Sequence, residues 1–211
     1  MSLKTCTKHD YVNPKMVDLK FDEATHTYRL HGRIVPSVTQ VISETIGTGW
    51  KATEWYLQRG KAIHACAEFI AKGKDFKSDE RISGEVAAIK TFFAEVQPEV
   101  FEIEKRVGSY VFQYAGTIDL ICKINGRWAI LDWKHSFNKI RIGLQLGGYS
   151  NAHEKLINCG YGVQLSETGK YQMTEAIDLS IERRKFLALR TAYRIKEQCG
   201  ELSSQKEKAN G

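Results

Sequence analysis

The sequence predicts a single α/β domain in which helices cover a central sheet. Three observations lead there. First, Gly116–Lys134, GTIDLICKINGRWAILDWK, reads as two strands joined at Asn125-Gly126. Their middles are apolar on both faces (Leu120, Ile121, Cys122, Ala129, Ile130, Leu131), as in strands covered from both sides. Second, apolar residues at helical spacing precede and follow this hairpin. Third, 211 residues with a 42% hydrophobic fraction and four Trp are enough for one sizeable core.

Taken in order, residues 1–20 are polar and irregular. Thr27–Val35 alternates around His31-Gly32 and reads as a small hairpin. Ser37 is placed to cap a short helix through Val41 and Ile42, which Gly47 and Gly49 break. Thr53–Lys72 is helical, with Trp55, Ile63, Ala67 and Ile70 on one broad stripe and Gly73 as the stop. It carries His64. A second helix, Gly84–Val96, turns Val86, Ile89, Phe92 and Phe93 inward and ends at Pro98. Phe101–Val107 and Tyr110–Tyr114 are strand material with Gly108-Ser109 at the turn. By alternation Glu102 and Glu104 share a face. After a polar loop from Ser136 to Arg141, a helix from near Ile142 carries Leu144, Leu146, Tyr149, Ala152 and Leu156 and ends before Gly160. Tyr161–Leu165 and Tyr171–Ile177 form a hairpin around Glu167-Thr-Gly169. A last helix, Leu179–Gln198, is rich in Arg and Lys, and a polar tail begins at Gly200.

The hairpin concentrates the chemistry. Asn-Gly suits a two-residue type I′ turn, where both central residues need positive φ. Ile124 then pairs with Arg127, and counting back sets Asp119 opposite Asp132. Side chains alternate, so Lys134 shares the face of Asp132. Opposed like charges are destabilising, so a cation belongs between them; a divalent metal beside Lys134 is the simplest. Gln145 and Tyr149 are four apart and stack on one helical face. Near a metal they suit a phosphate or a base; otherwise they are an ordinary amphipathic stripe.

Composition narrows the setting. The net charge of +6 favours a polyanionic partner such as nucleic acid. Five cysteines, at 6, 66, 122, 159 and 199, form no C-x-x-C pair, which argues against a zinc knuckle or disulfide framework and for a reducing compartment. No apolar run reaches the ~18 residues of a membrane span, and no signal peptide is visible. The expectation is a cytoplasmic protein with no membrane contact.

Four short motifs in order carry a resemblance: Gly60-(x)3-His64, Gly116-Thr-Ile-Asp119, Leu131-Asp132-Trp133-Lys134 and Gln145-(x)3-Tyr149. The series resembles the PD-(D/E)XK nuclease superfamily, and within it the RecB-like exonuclease branch, of which phage and mobile-element proteins are common members. Tyr28–Thr39 resembles the entry segment of such phage nucleases. The resemblance spans about residues 26–150. It implies a restriction-endonuclease-like core, a central mixed β-sheet flanked by helices. On that reading the chain is one nuclease domain over 1–211, with a core of about 26–178, a C-terminal helix at 179–198 and a polar tail at 200–211.

Carried over residue by residue, the resemblance makes Asp119 and Asp132 metal ligands, joined by the backbone carbonyl of Trp133. His64 is a further ligand from its helix, and Glu104 matches an acidic residue upstream of the Gly-Thr-x-Asp motif. Lys134 positions or helps deprotonate the attacking water. Gln145 and Tyr149 contact DNA or steady the site. The implied cofactor is Mg²⁺, with Mn²⁺ acceptable because of the imidazole. The four-cysteine iron–sulfur cluster of some relatives does not suit the cysteine spacing here. The implied activity is metal-dependent DNA hydrolysis, as an exonuclease in phage-type recombination, repair or DNA processing. DNA is the partner, with a recombination partner protein and a homo-oligomer compatible with the resemblance. A non-catalytic DNA-binding module and a structure-specific endonuclease are the rival readings.

Overall fold

The computed structural model describes residues 18–47, 53–136 and 138–202. Its centre is a six-stranded mixed sheet flanked by helices, as expected. A small antiparallel sheet comes first: β1 (Leu19–Asp22), β2 (Thr27–Leu30) and β3 (Arg33–Val35). The helices α1 (Val38–Ile46), α2 (Glu54–Ala71) and α3 (Ser83–Val96) follow. The large sheet is built from β4 (Glu99–Ser109), β5 (Tyr114–Ile124), β6 (Arg127–Lys134), β7 (Cys159–Leu165), β8 (Tyr171–Met173) and β9 (Ile177–Asp178). Helix α4 (Lys139–Ala152) connects β6 to β7, and α5 (Leu179–Gln198) closes the fold. All pairings in the sheet are antiparallel except β6–β7, which α4 makes parallel by crossing over.

Local chemistry sets the element ends. The Ser37 side chain accepts from the Gln40 N–H at 3.0 Å and caps α1, as its position predicts. Asn125 (φ 49°) and Gly126 (φ 74°) make the tight turn of the β5–β6 hairpin, with Ile124 paired to Arg127. Asp178 caps α5 by accepting from the Ser180 N–H at 2.8 Å.

The sheet is apolar on both faces because each face has its own core. Ile118, Ile121 and Ile130 pack with α1, α4 and α5, around Tyr149, Phe186 and Tyr193. Leu120, Cys122, Leu131 and Trp133 pack with α2 and α3, around Ile63, Ile89 and Phe92. Each fully buried side chain of this size stabilises the fold by about 1.5–3 kcal/mol.

Several expectations need correction. Leu19, inside the segment 1–20 that reads as irregular, and Phe21 just beyond it form a strand and pack on Tyr28 and Leu30; four residues are too few for a period to emerge. Gly49 and most of the N-terminal segment lie outside the described residues. Trp55 does not join the buried stripe of α2; it is 37% exposed beneath the Arg81 guanidinium. Leu156 lies beyond the end of α4 and is exposed. The turn between β4 and β5 is Tyr110–Gln113, not Gly108-Ser109. Buried Arg190 of α5 fixes it, donating to the carbonyls of Phe112 (2.9 Å) and Gln113 (3.1 Å). Leu202, in the expected tail, is buried in the α4–α5 core.

One close approach gives a stability prediction. A Cβ at Gly84 would lie 1.9 Å from the Glu167 carbonyl oxygen, where the β7–β8 turn rests on the start of α3. Gly84→Ala is expected to cost at least the ~1–3 kcal/mol of ordinary overpacking, since backbone meets backbone. A thermal melt checks it. Gly60→Ala, at an open helical position, is the control and should be neutral or stabilising by up to ~1 kcal/mol.

Candidate metal centre

The β5–β6 hairpin keeps the register read from its turn, but the strands part at its far end. The ladder runs from Ile124↔Arg127 to Leu120↔Leu131 and stops one pair short of Asp119 and Asp132. Beyond that point β6 continues beside β7 through Lys134↔Gln164, while β5 continues beside β4 through Tyr114↔Ser109. Asp119 takes up a backbone group left free by the split: its Oδ2 accepts from the Trp133 N–H at 2.8 Å.

Across β5, Asp119 faces Glu104, and both drop out of the β4–β5 ladder between Ile103↔Leu120 and Lys105↔Ile118. Glu104 has φ 48°, a left-handed conformation costing about 1–2 kcal/mol in a non-glycine residue. Its consequence is visible in the side chains. Glu102 reaches His153 at the end of α4, whereas Glu104 reaches His64 on α2, which lies on the opposite face. Simple alternation, which puts both glutamates on one face, fails here because the backbone turns over at Glu104.

Three of the residues singled out from the sequence therefore meet. His64 Nδ1 is 3.3 Å from Asp119 Oδ1 and 3.4 Å from Glu104 Oε1. Ligand atoms of His64, Glu104 and Asp119 all lie within 4.8 Å of one another. Ligands 2.0–2.2 Å from a shared metal lie roughly 3.0–3.4 Å apart, so the donor set and its spacing fit a divalent cation. Asp119 is buried, while His64 and Glu104 are each about a third exposed, which leaves a way in.

Asp132 sits behind this trio. It is 1% exposed. Its Oδ1 accepts from Gln145 Nε2 at 2.7 Å, and its Oδ2 is ion-paired with the Lys134 ammonium. Gln145 also donates to the Tyr149 hydroxyl at 2.8 Å. Tyr149 is buried in the α4 core, so its ring is not available to stack on a base. The Gly116 of the Gly-Thr-x-Asp motif explains itself here: a Cβ would lie 2.6 Å from Tyr149 Cε1. Gly116→Ala is expected to push Tyr149 off Gln145, lowering stability by about 1–3 kcal/mol. The second sign is a drop in any activity that depends on Asp132, read beside the melt.

The charges explain the protonation preferences. Burial would lower the His64 pKa, but the Asp119 and Glu104 carboxylates outweigh it and raise it to about 10. Burial raises Asp132 to about 6, with Asp119 adding to the rise and Lys134 opposing it. Asp119 lies below the ordinary carboxylate range: burial pushes it up, but His64, Lys134 and the Trp133 N–H together win. His64 as imidazolium and Lys134 as ammonium thus supply the cationic charge that two buried carboxylates demand.

Sequence reasoning missed the pocket beside this centre. It measures about 60 Å³ and is lined by Tyr56, Arg59, His64, Trp133, Lys134 and His135, among others. Arg59 is 6% exposed and is held by buried Glu85 and, at 2.6 Å, by Glu167. The sequence signal was faint: Arg59 directly precedes Gly60 of the first motif. Tyr28 was also missed as a neighbour. Its hydroxyl bonds Thr117 at 2.8 Å, two residues from Asp119.

No family model and no curated protein matches the chain. Among solved structures it is similar to LHK-Exo in complex with dAMP, with 14% identity, a TM-score of 0.46, and coverage of 83% of this chain and 93% of that one. It is also similar to an alkaline exonuclease (LHK-Exo) from Laribacter hongkongensis, with 11% identity, a TM-score of 0.44, and coverage of 82% and 92%. Likeness at this level says nothing of activity, which has to be read from the side chains at the split strands.

Proposed function

We propose that this protein is a divalent-metal-dependent deoxyribonuclease of the PD-(D/E)XK type, in its RecB-like, phage-type branch, acting as an exonuclease in recombination, repair or DNA processing. One observation carries the reading. His64, Glu104 and Asp119, from α2, β4 and β5, converge where the β5–β6 hairpin splits, beside Asp132 and Lys134. A fold that needed only stability would not gather two buried carboxylates at one end of apolar strands.

His64, Glu104, Asp119 and Asp132, with the Trp133 carbonyl, would hold Mg²⁺ or Mn²⁺. Such an ion, when bound, supplies positive charge at a phosphodiester and a water acidic enough to act near neutral pH. The protein's own groups do the rest. Gln145 holds Asp132 Oδ1 in place, and Tyr149 in turn fixes Gln145. Lys134 is ion-paired with Asp132, and its ammonium can orient the attacking water and meet the charge that develops on the scissile phosphate. The +6 chain favours approach of a polyanion. Among the described residues no helix is long and apolar enough to cross a membrane.

The test is cleavage of end-labelled linear DNA and of a closed circle with Mg²⁺, Mn²⁺ or EDTA. Metal-dependent shortening of the linear DNA alone is the expected result. Cutting of the circle would make the protein an endonuclease, and metal-independent binding without cleavage would leave only a DNA-binding module.

Activity should also depend on pH in a defined sense. Asp132, raised to about 6, and His64, raised to about 10, must both lose protons to become ligands. Cleavage at limiting Mg²⁺ should therefore rise steeply as pH climbs to about 6 and go on rising, less steeply, towards about 10, and raising Mg²⁺ should move the whole limb to lower pH. A limb indifferent to Mg²⁺ concentration would count against this ligand set.

A further inference from the structure

We propose that Glu102, His153 and Glu154 form a second cation site, for a divalent transition metal of the Zn²⁺ class, on the α4 face of the sheet. Each residue offers a ligand atom, and these atoms lie within 4.8 Å of one another. The His153 side chain is only 2% exposed. Among the described residues its Nε2 meets nothing polar except Glu102 Oε1, at 3.4 Å. That is long for a charge-assisted hydrogen bond, usually about 2.7–2.9 Å. It matches the separation of about 3.3 Å between two ligands of a tetrahedral ion with bonds of 2.0–2.1 Å.

The other side of the ring points the same way. His153 Nδ1 lies 3.0 Å from the Lys155 carbonyl oxygen and 3.1 Å from the Lys155 nitrogen. Nδ1 either accepts from the Lys155 N–H, with Nε2–H then donating to Glu102, or gives its own hydrogen to the Lys155 carbonyl; the second tautomer, the one that metal-bound histidines have, turns the Nε2 lone pair onto the carboxylates. Lys105 holds the other oxygen of Glu102 from outside. Glu154 is exposed, with no hydrogen bond or ion pair among the described residues. The first centre, as proposed, adds oxygens from Asp132 and the Trp133 carbonyl to its trio; with one imidazole, two carboxylates and no such further oxygens, this set favours Zn²⁺ over Mg²⁺, which prefers an all-oxygen shell. The Glu85, His135 and Glu167 cluster is different, because Arg59 already sits between its glutamates.

An ion here would clasp the end of α4 to β4. Helix α4 carries Gln145 and Tyr149, and β4 carries Glu104. The role is therefore structural, joining two elements that build the first centre, and it does not depend on the nuclease reading.

The experiment titrates Zn²⁺ alone by calorimetry into the full chain, freed of metal by chelator and carrying H64Q and D119N to disable the first cluster. A single equivalent should still bind and raise the melting temperature. Adding H153Q should abolish that binding. E154Q, on an exposed side chain and so harmless to folding, should weaken it by roughly 10–100-fold, at least the loss that an outer partner causes. No binding in the H64Q/D119N protein, or binding that H153Q or E154Q leaves unchanged, overturns the proposal.

Discussion

Asp119→Asn is expected to leave the protein folded and to remove the proposed metal-dependent cleavage of linear DNA. Asp119 closes the trio with His64 and Glu104, accepts from the Trp133 N–H, and supplies much of the charge that keeps His64 protonated. Losing the ion would forfeit several kcal/mol of transition-state stabilisation. At 1.36 kcal/mol per decade that is a rate loss of roughly 10³-fold or more. Asparagine is the informative replacement, because its carboxamide oxygen can still accept from Trp133. Asp119→Ala would in addition leave a buried N–H unpaired, costing about 1–3 kcal/mol. Circular dichroism reports the fold, and the end-labelled DNA assay reports the activity. A third readout is independent of catalysis: with the Asp119 charge gone, the His64 ring should titrate well below about 10 by NMR. Cleavage at the parental rate by Asp119→Asn would end the assignment of this centre.

Lys134→Ala should lower kcat by roughly 10²–10³-fold, the usual loss when one positioned donor to developing charge is removed. KM should change little, since the pocket keeps Arg59, His64 and His135. Lys134→Arg should not rescue, because a planar guanidinium cannot take the place of a compact ammonium against Asp132. The sign of the pH effect distinguishes this from a structural loss. Lys134 opposes the upward shift that burial and Asp119 impose on Asp132. Removing it lets the Asp132 pKa climb above about 6, so the acid limb of the residual activity should move to higher pH. A limb that stays in place while the rate falls would mean that Lys134 and Asp132 are not electrostatically linked in solution.

The sequence carried the architecture because its strongest signals are local. Asn125-Gly126 specifies a turn, the turn specifies a register, and period-two alternation then puts Lys134 beside Asp132, all within one hairpin. The Ser37 cap and most of the helix boundaries follow for the same reason. Where a local rule met a tertiary contact, the contact won. Arg190, from the far end of the chain, fixes the β4–β5 turn at Tyr110–Gln113, just past Gly108-Ser109, by holding the Phe112 and Gln113 carbonyls.

Composition, periodicity and turn chemistry thus sufficed for an α/β sheet covered on both faces and for the Asp119, Asp132 and Lys134 grouping. They could not decide which other groups join it. Glu104 reaches His64 only because its own backbone is left-handed, a conformation no propensity would assign to a strand glutamate. Gln145 serves as a brace for Asp132 rather than a free surface amide because α4 packs it inside. Arg59, Glu85 and Glu167 meet although 108 residues separate the first from the last. Such meetings depend on how helices settle on a twisted sheet, where a side chain's neighbours come from distant parts of the chain and no spacing along the sequence encodes them.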